Sequence, residues 1–178
     1  MKKLAMAAAV VTAFIGMNAQ ATSTGTITFN GELTATSCNV LIDGVQNPTI
    51  KLPTTGIGDL TTAGATAGET IFTMNLTDCK GTLKTVAAFF SAGPTVNTNG
   101  RLDNQTTDGA TNVSLQLVEP RNNNAVIAIG QASQANNTFT AYNADGTGTL
   151  DYAVRYYAEG TTTAGLVSSN VVYGLQYK

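Results

Sequence analysis

The chain has 178 residues, which is room for one ordinary domain with a short appendage. Only 11% of the residues are charged, against about 25% in a typical soluble domain, and nine Lys and Arg face eleven Asp and Glu. Histidine is absent, there are two cysteines and the pI is near 4.9, which excludes His-based nucleophilic catalysis, a structural zinc site and an electrostatic surface for nucleic acid. We therefore expect no enzyme, no cofactor and no metal site.

The first 21 residues have the pattern of a secretory signal peptide. A basic start at Met1–Lys3 precedes the uncharged run Leu4–Met17, and Ala19–Ala21 provides a small-x-small cleavage site. The alternative is a membrane anchor, but the run of 14 residues is shorter than the roughly 20 that span a bilayer. The pattern predicts cleavage after Ala21 and export, which leaves seven basic and eleven acidic residues, a net charge of −4.

Export changes the interpretation of the two cysteines, Cys38 and Cys79. In an oxidising compartment two cysteines most often form one structural disulfide. A loop of 41 positions would give roughly 4 kcal/mol of stabilisation in the chain-entropy model. Two buried free thiols are the alternative. A catalytic pair is not expected, because the spacing is unlike Cys-x-x-Cys.

The exported chain shows period-2 alternation of apolar and polar residues, which predicts short strands. The predicted strands are 27–36, 71–76, 86–90, 113–118 and 152–159. Asp-Gly and Asn-Gly turns separate several of these runs, and Pro120 ends the fourth. Thr is the commonest residue and suits a half-solvated pleated surface. The pattern indicates an all-β sandwich, in which no segment requires a helix, although 60–68 is compatible with a short helical turn.

The longest alternating run lies at the C-terminus. One face carries Gly165, Val167, Ser169, Val171, Tyr173, Leu175 and Tyr177. We expect a strand at an exposed sheet edge, since an apolar strand with no following strand lacks a second neighbour. A central or otherwise paired strand is the alternative.

The start of the exported chain, Thr22 to Thr28, has no strong turn signal before Asn30-Gly31. One face of an extended segment there would carry Ser23, Gly25, Ile27 and Phe29. A free strand at one end and an uncovered strand at the other predict head-to-tail pairing between copies, which can build filaments.

Four segments and the C-terminal pattern resemble the major subunits of chaperone–usher fimbriae, the type 1 pilin family. The segments are GTITFNGEL at 25–33, FTMNLTDC at 72–79, ATNVSLQL at 110–117 and YAVRYYAEG at 152–160. Gly165 is fourteenth from the C-terminus and Tyr177 is penultimate. The resemblance covers nearly the whole exported chain.

The resemblance implies an incomplete immunoglobulin-like sandwich that lacks its last strand. A periplasmic chaperone fills the open groove, and at the outer-membrane usher the N-terminal extension of the next subunit replaces it. The implied organisation is a signal peptide at 1–21, a donor-strand extension at 22–30 and a pilin domain at 31–178. The donor strand would carry Ser23, Gly25, Ile27 and Phe29. The groove and its contact with the chaperone or next subunit would involve Gly165, Val167, Val171, Tyr173, Leu175 and Tyr177. Cys38 and Cys79 match the family disulfide.

The resulting hypothesis is a structural subunit that polymerises, with identical or related subunits, into a surface fimbria used for adhesion. A secreted carbohydrate-binding sandwich and a minor adaptor subunit of the same fimbria are the alternatives. A calcium loop at 143–154 is not expected, because position twelve is Val154 rather than Glu.

Overall fold

The computed structural model describes residues 25–31, 33 and 35–178. The chain divides into two units, Met1–Glu32 and Leu33–Lys178. The predicted signal peptide and Ser23 lie outside the described residues. Among the residues that are described, no helix is both long and apolar enough to cross a membrane.

The second unit contains two antiparallel sheets. The larger sheet has the order β1-β2-β8-β5-β4, with β6 pairing the same edge of β5 further along the strand. The smaller sheet has the order β7-β3-β9. The strands are β1 (Ser37–Ile42), β2 (Thr66–Lys80), β3 (Thr85–Phe90), β4 (Leu102–Asp103), β5 (Val113–Glu119), β6 (Ala125–Ile127), β7 (Thr140–Ala141), β8 (Gly148–Ala158) and β9 (Tyr173–Tyr177).

The core lies between the two sheets and follows from the alternation in the sequence. Along β2 alternate side chains from Phe72 to Leu76 are buried, and β3 and β8 bury Val86 and Leu150 against them. The rings of Phe90 and Tyr152 meet edge to face with centroids 5.2 Å apart. The Tyr152 hydroxyl also accepts a hydrogen bond from the Ala88 amide at 2.8 Å, so the polar end of this buried ring is paired. Burial raises the pKa of Tyr152 to about 12, which keeps the phenol neutral.

Most predicted strands are present, and the apolar run 86–90 is a strand rather than a helical turn. The predicted strand at 27–36 is wrong for the single chain, because none of its described residues belongs to a strand and β1 begins at Ser37. An alternating segment becomes a strand only when a neighbouring backbone satisfies its amides and carbonyls. The helical turn considered for 60–68 does not form there, since a turn of 3-10 helix occupies Ile57–Leu60 and β2 begins at Thr66. A second, unpredicted turn lies at Ala132–Asn136.

A disulfide joins Cys38 of β1 to Cys79 of β2. Cys79 is buried and Cys38 packs against the core, so the bond attaches the outermost strand of the larger sheet to its neighbour. The two free thiols of the alternative interpretation are absent from the described chain.

We expect the double substitution Cys38→Ala with Cys79→Ala to lower the free energy of unfolding by about 2–4 kcal/mol, because the unfolded chain loses its cross-link. Urea denaturation of the unpolymerised subunit measures this difference. When the wild-type subunit is unfolded in the presence of a reductant, its urea midpoint should approach that of the variant. Equal midpoints for oxidised wild type and variant would contradict a stabilising role.

Candidate functional site: an apolar groove between two chain segments

A long groove of about 1020 Å³ opens into the core of the second unit. Its floor is apolar and consists of core side chains from both sheets. These are Ile42, Phe72, Phe90, Leu102, Leu115, Leu117 and Val154. A smaller cavity of about 540 Å³ lies between β1 and Tyr173, and Tyr173 and Gln46 line both spaces. The core of this sandwich is therefore open along one side.

Two chain segments form the sides of the groove. The first, here called the crossing wall, consists of residues 46–57, which follow β1. The second, called the C-terminal wall, consists of residues 162–173, which lead into β9. Along the C-terminal wall and β9, odd-numbered side chains from Val167 to Tyr177 are half-buried, whereas even-numbered ones from Leu166 to Gly174 are exposed. The odd-numbered face thus lies towards the core, and Val172, on the other face, is 70% exposed.

The backbone of the C-terminal wall is paired on one side only. Its even-numbered residues turn their carbonyls towards the chain between β3 and β5. Backbone hydrogen bonds join the carbonyls of Leu166, Ser168 and Val172 to the amides of Ala110, Gln105 and Ser91, respectively. At the end of β9, Lys178 exchanges both backbone hydrogen bonds with Thr85 at 3.0 Å.

Successive residues of a strand direct their backbone groups to opposite sides, so the odd-numbered residues 167–175 direct theirs away from β3. Within residues 25–31, 33 and 35–178, no hydrogen bond reaches the amides or carbonyls of these odd-numbered residues. The groove is therefore bordered by a strand edge with a row of free donors and acceptors, which is the arrangement that binds an added strand.

Two hydrogen bonds that involve side chains connect the chain segments adjoining the two walls. At one end the Tyr177 hydroxyl accepts a hydrogen bond from the Cys38 amide at 2.9 Å. At the other, the Thr162 hydroxyl donates to the Leu60 carbonyl at 3.0 Å. The crossing wall is also attached to β8, since the Tyr156 hydroxyl donates a hydrogen bond to the Pro53 carbonyl at 3.2 Å.

The tyrosines at these joints are neutral at physiological pH. Burial raises the pKa of Tyr156, and burial also raises the pKa of Tyr177, where the hydrogen bond from the Cys38 amide acts in the opposite direction. No cluster of His, Cys, Asp or Glu that could hold a metal ion is found in the described part of the chain. The groove presents mostly apolar and hydroxyl side chains, with Gln46, Asn47, Lys51 and Asn170 along its walls.

The predicted site residues fall into two groups. Gly165, Val167, Val171 and Tyr173 line the groove, and Leu175 and Tyr177 continue the same face and pack against the core. Gly165 passes so close to Ala110 that a Cβ there would overlap the Ala110 backbone. The predicted donor residues are in the other unit, where Gly25, Ile27 and Phe29 are exposed.

The crossing wall has no counterpart among the residues predicted from the sequence. Its residues 46–57 contain Pro48 and Pro53 and no sustained alternation, so nothing in the pattern marks them as the side of a site. The available signal is the apolar Ile50 and Leu52, which are half-buried against the core although they belong to no strand.

Comparisons with known proteins agree with this architecture. The family model "FimA: Type-1 fimbrial protein, A" matches residues 52–178. The major fimbrial subunit SMF-1 of Stenotrophomonas maltophilia is 42% identical over 86% of this chain and 92% of its own length. The fimbrial subunit type 1 of Klebsiella pneumoniae is 30% identical over 86% of this chain and 84% of its own.

Two solved structures share the fold. A chaperone–usher pilus structure covers 88% of this chain and 97% of its own at a TM-score of 0.59 and 19% identity. The crystal structure of the P pilus rod subunit PapA covers 79% and 99% at a TM-score of 0.59 and 18% identity. These likenesses show the incomplete immunoglobulin-like fold predicted for the chain.

The family match, the curated relatives and the open sandwich lead to one assignment. The chain belongs to the type-1 fimbrial protein family of chaperone–usher major subunits, and it is a structural fimbrial subunit rather than an enzyme.

Proposed function

We propose that the groove accepts one strand from a neighbouring subunit, and that the segment from Ser23 to Phe29 is the strand that each subunit donates. The observation that carries this proposal is the free strand edge of the odd-numbered residues 167–175 beside an apolar floor. Each subunit would then complete the sandwich of the next one, head to tail, and the product is a fibre.

The lengths of the two partners are compatible. At about 3.3 Å per residue, the free edge from Val167 to Leu175 is roughly 26 Å long, and the donor face from Ser23 to Phe29 is roughly 20 Å long. The donor face therefore fits along the edge without reaching beyond it. The joints Tyr177–Cys38 and Thr162–Leu60 lie beyond the two ends of this edge.

Burial of apolar side chains supplies the main driving force. Ile27 and Phe29 are 78% and 87% exposed in the single chain. Covering them in the groove is worth roughly 1.5–3 kcal/mol each, and each backbone hydrogen bond along the edge adds about 0.5–1.5 kcal/mol. Gly25 would suit a point at which the donor backbone passes close to the groove floor, since it has no side chain.

The same apolar surface requires protection before assembly. An exposed strand edge beside an open core binds other chains indiscriminately. A periplasmic chaperone that covers the groove first, followed by exchange at an outer-membrane usher, solves this problem. In this scheme residues 1–21 direct export, and the assembled subunits form a fimbria at the cell surface that serves adhesion. The odd-numbered face from Gly165 to Tyr177 would contact the chaperone and then the next subunit.

We expect Gly25→Arg to abolish fibres while the subunit stays folded. A Cβ at Gly25 meets no other atom within 4 Å in the single chain, so the substitution does not strain the subunit, but the arginine would enter the neighbour's apolar groove. Electron microscopy measures fibre formation and circular dichroism measures folding. Thr26→Arg, on the opposite face of the same segment, is the matched control and should give normal fibres. Normal fibres from both variants would overturn the assignment of the donor face.

We expect Val171→Thr to weaken donor-strand binding by about tenfold, because the added hydroxyl becomes buried without a partner at a cost of roughly 1–3 kcal/mol. The measurement is the concentration of a synthetic peptide of sequence 22–31 that half-saturates the unpolymerised subunit. Val172→Thr is the control, since Val172 lies on the exposed face and its substitution should leave binding unchanged. Equal effects of the two substitutions would contradict the proposed orientation of the wall.

A further inference from the structure

We propose that Asn30 is a site of spontaneous deamidation in the unpolymerised subunit, and that pairing of the donor strand protects it. The sequence contains two Asn-Gly pairs, Asn30-Gly31 and Asn99-Gly100. The two pairs share the same local chemistry but lie in different backbone environments. They therefore provide a comparison within one polypeptide.

The reaction uses the protein's own backbone as nucleophile. The amide nitrogen of the glycine loses its proton and attacks the carbonyl carbon of the asparagine side chain. A new carbon–nitrogen bond closes a succinimide ring, and the bond from that carbon to the carboxamide nitrogen breaks to release ammonia. Water then adds to either carbonyl of the ring, which gives aspartate or isoaspartate. Glycine favours this reaction because it has no Cβ to hinder the attack and its backbone reaches the required conformation easily.

The Asn30-Gly31 pair meets these requirements. Both residues are exposed and belong to no strand or turn. Within the described part of the chain, no hydrogen bond engages the Gly31 amide or the Asn30 side chain. The nucleophile is therefore free, the side chain is accessible to water, and the backbone is not held by a ladder.

The Asn99-Gly100 pair is held in a turn. The Gly100 amide donates to the Asn97 carbonyl at 3.0 Å, and the Gly100 carbonyl accepts from the Ile129 amide at 3.1 Å. The Asn99 amide donates to the Asn97 side-chain oxygen at 3.0 Å. Gly100 is buried and has a φ of +72°. Ring closure at Asn99 first requires this turn to open, so the folded state slows it.

The consequence for assembly rests on the proposed function. Isoaspartate at residue 30 places an extra methylene in the main chain directly after Phe29, and aspartate adds a negative charge at the same position. Either product alters the junction between the donor strand and the domain. A subunit that waits unpolymerised would therefore lose assembly competence with time. In a fibre, by contrast, Asn30 directly follows a strand that a ladder of hydrogen bonds restrains, so its backbone has less freedom to reach the conformation for ring closure.

The test follows both sites by peptide mass spectrometry after digestion, scoring the conversion of a side-chain amide to an acid. Wild-type subunit is purified in its unpolymerised form and incubated at mildly alkaline pH. We expect deamidation of Asn30 to be at least about tenfold faster than that of Asn99, which corresponds to roughly 1.4 kcal/mol for opening the turn. In urea the two rates should become similar, because the sequence pair is the same. In assembled fibres the rate at Asn30 should fall towards that at Asn99.

The control variant is Gly31→Ala. A Cβ at Gly31 meets no atom within 4 Å, so the substitution leaves the subunit intact and hinders only the attack of the amide nitrogen. We expect it to slow deamidation at residue 30 in the folded subunit and in urea, with no change at Asn99. Equal rates at the two sites in the folded wild-type subunit would overturn the proposal, whether or not fibres form. An Asn30 rate that is the same in fibres and in free subunits would overturn the protection by pairing. Failure to form fibres would instead count against the proposed function.

Discussion

The constraint on which this molecule depends is the half-satisfied backbone of its C-terminal segment. The even-numbered residues from Leu166 to Lys178 bind the neighbouring strand and loops, and the odd-numbered residues 167–175 have no partner within the described residues. A buried strand normally has two neighbours, because each unpaired amide or carbonyl removed from water costs free energy. Here the second neighbour is missing at the place where the core opens. The apolar floor and the free edge therefore coincide, and a single added strand satisfies both.

The surrounding structure keeps this opening in shape. The hydrogen bonds from Cys38 to Tyr177 and from Thr162 to Leu60 fix the two ends of the groove. The disulfide holds β1, and with it the Cys38 amide, against β2. Burial raises the pKa of Tyr156 and of Tyr177, so both phenols are neutral at physiological pH.

Side chains and short strands pair part of the edges of two other strands, β3 and β5. At the edge of β3 that faces away from β9, the buried Gln134 side chain donates to the Phe90 carbonyl and accepts from the Phe90 amide, each at 2.9 Å. This side chain thus makes the pair of hydrogen bonds that a neighbouring strand would make with Phe90. At the edge of β5, the short β4 and β6 divide one side of the strand between them. Short elements thus pair part of the edges of β3 and β5, whereas the odd-numbered residues from Val167 to Leu175 have no backbone partner within the described residues.

The sequence predicted the strands at 71–76, 86–90 and 113–118, because alternation of apolar side chains directly reflects burial of one face of a sheet. The same argument identified the inward face of the C-terminal segment, from Val167 to Tyr177. It was wrong for 27–36, since alternation reports which side chains would be buried and carries no information about whether a partner strand is present.

The sequence by itself determined the local properties of this protein: strand-forming segments, apolar faces, turns, the availability of two cysteines and the family resemblance. Only the tertiary structure decided which strand edges remain unpaired, because pairing depends on residues far apart in the sequence. The crossing wall is the clearest case. Ile50 and Leu52 have no periodic pattern, and they line the groove by packing against core residues of distant strands. The adjacent Pro53 carbonyl accepts a hydrogen bond from Tyr156, more than 100 positions later.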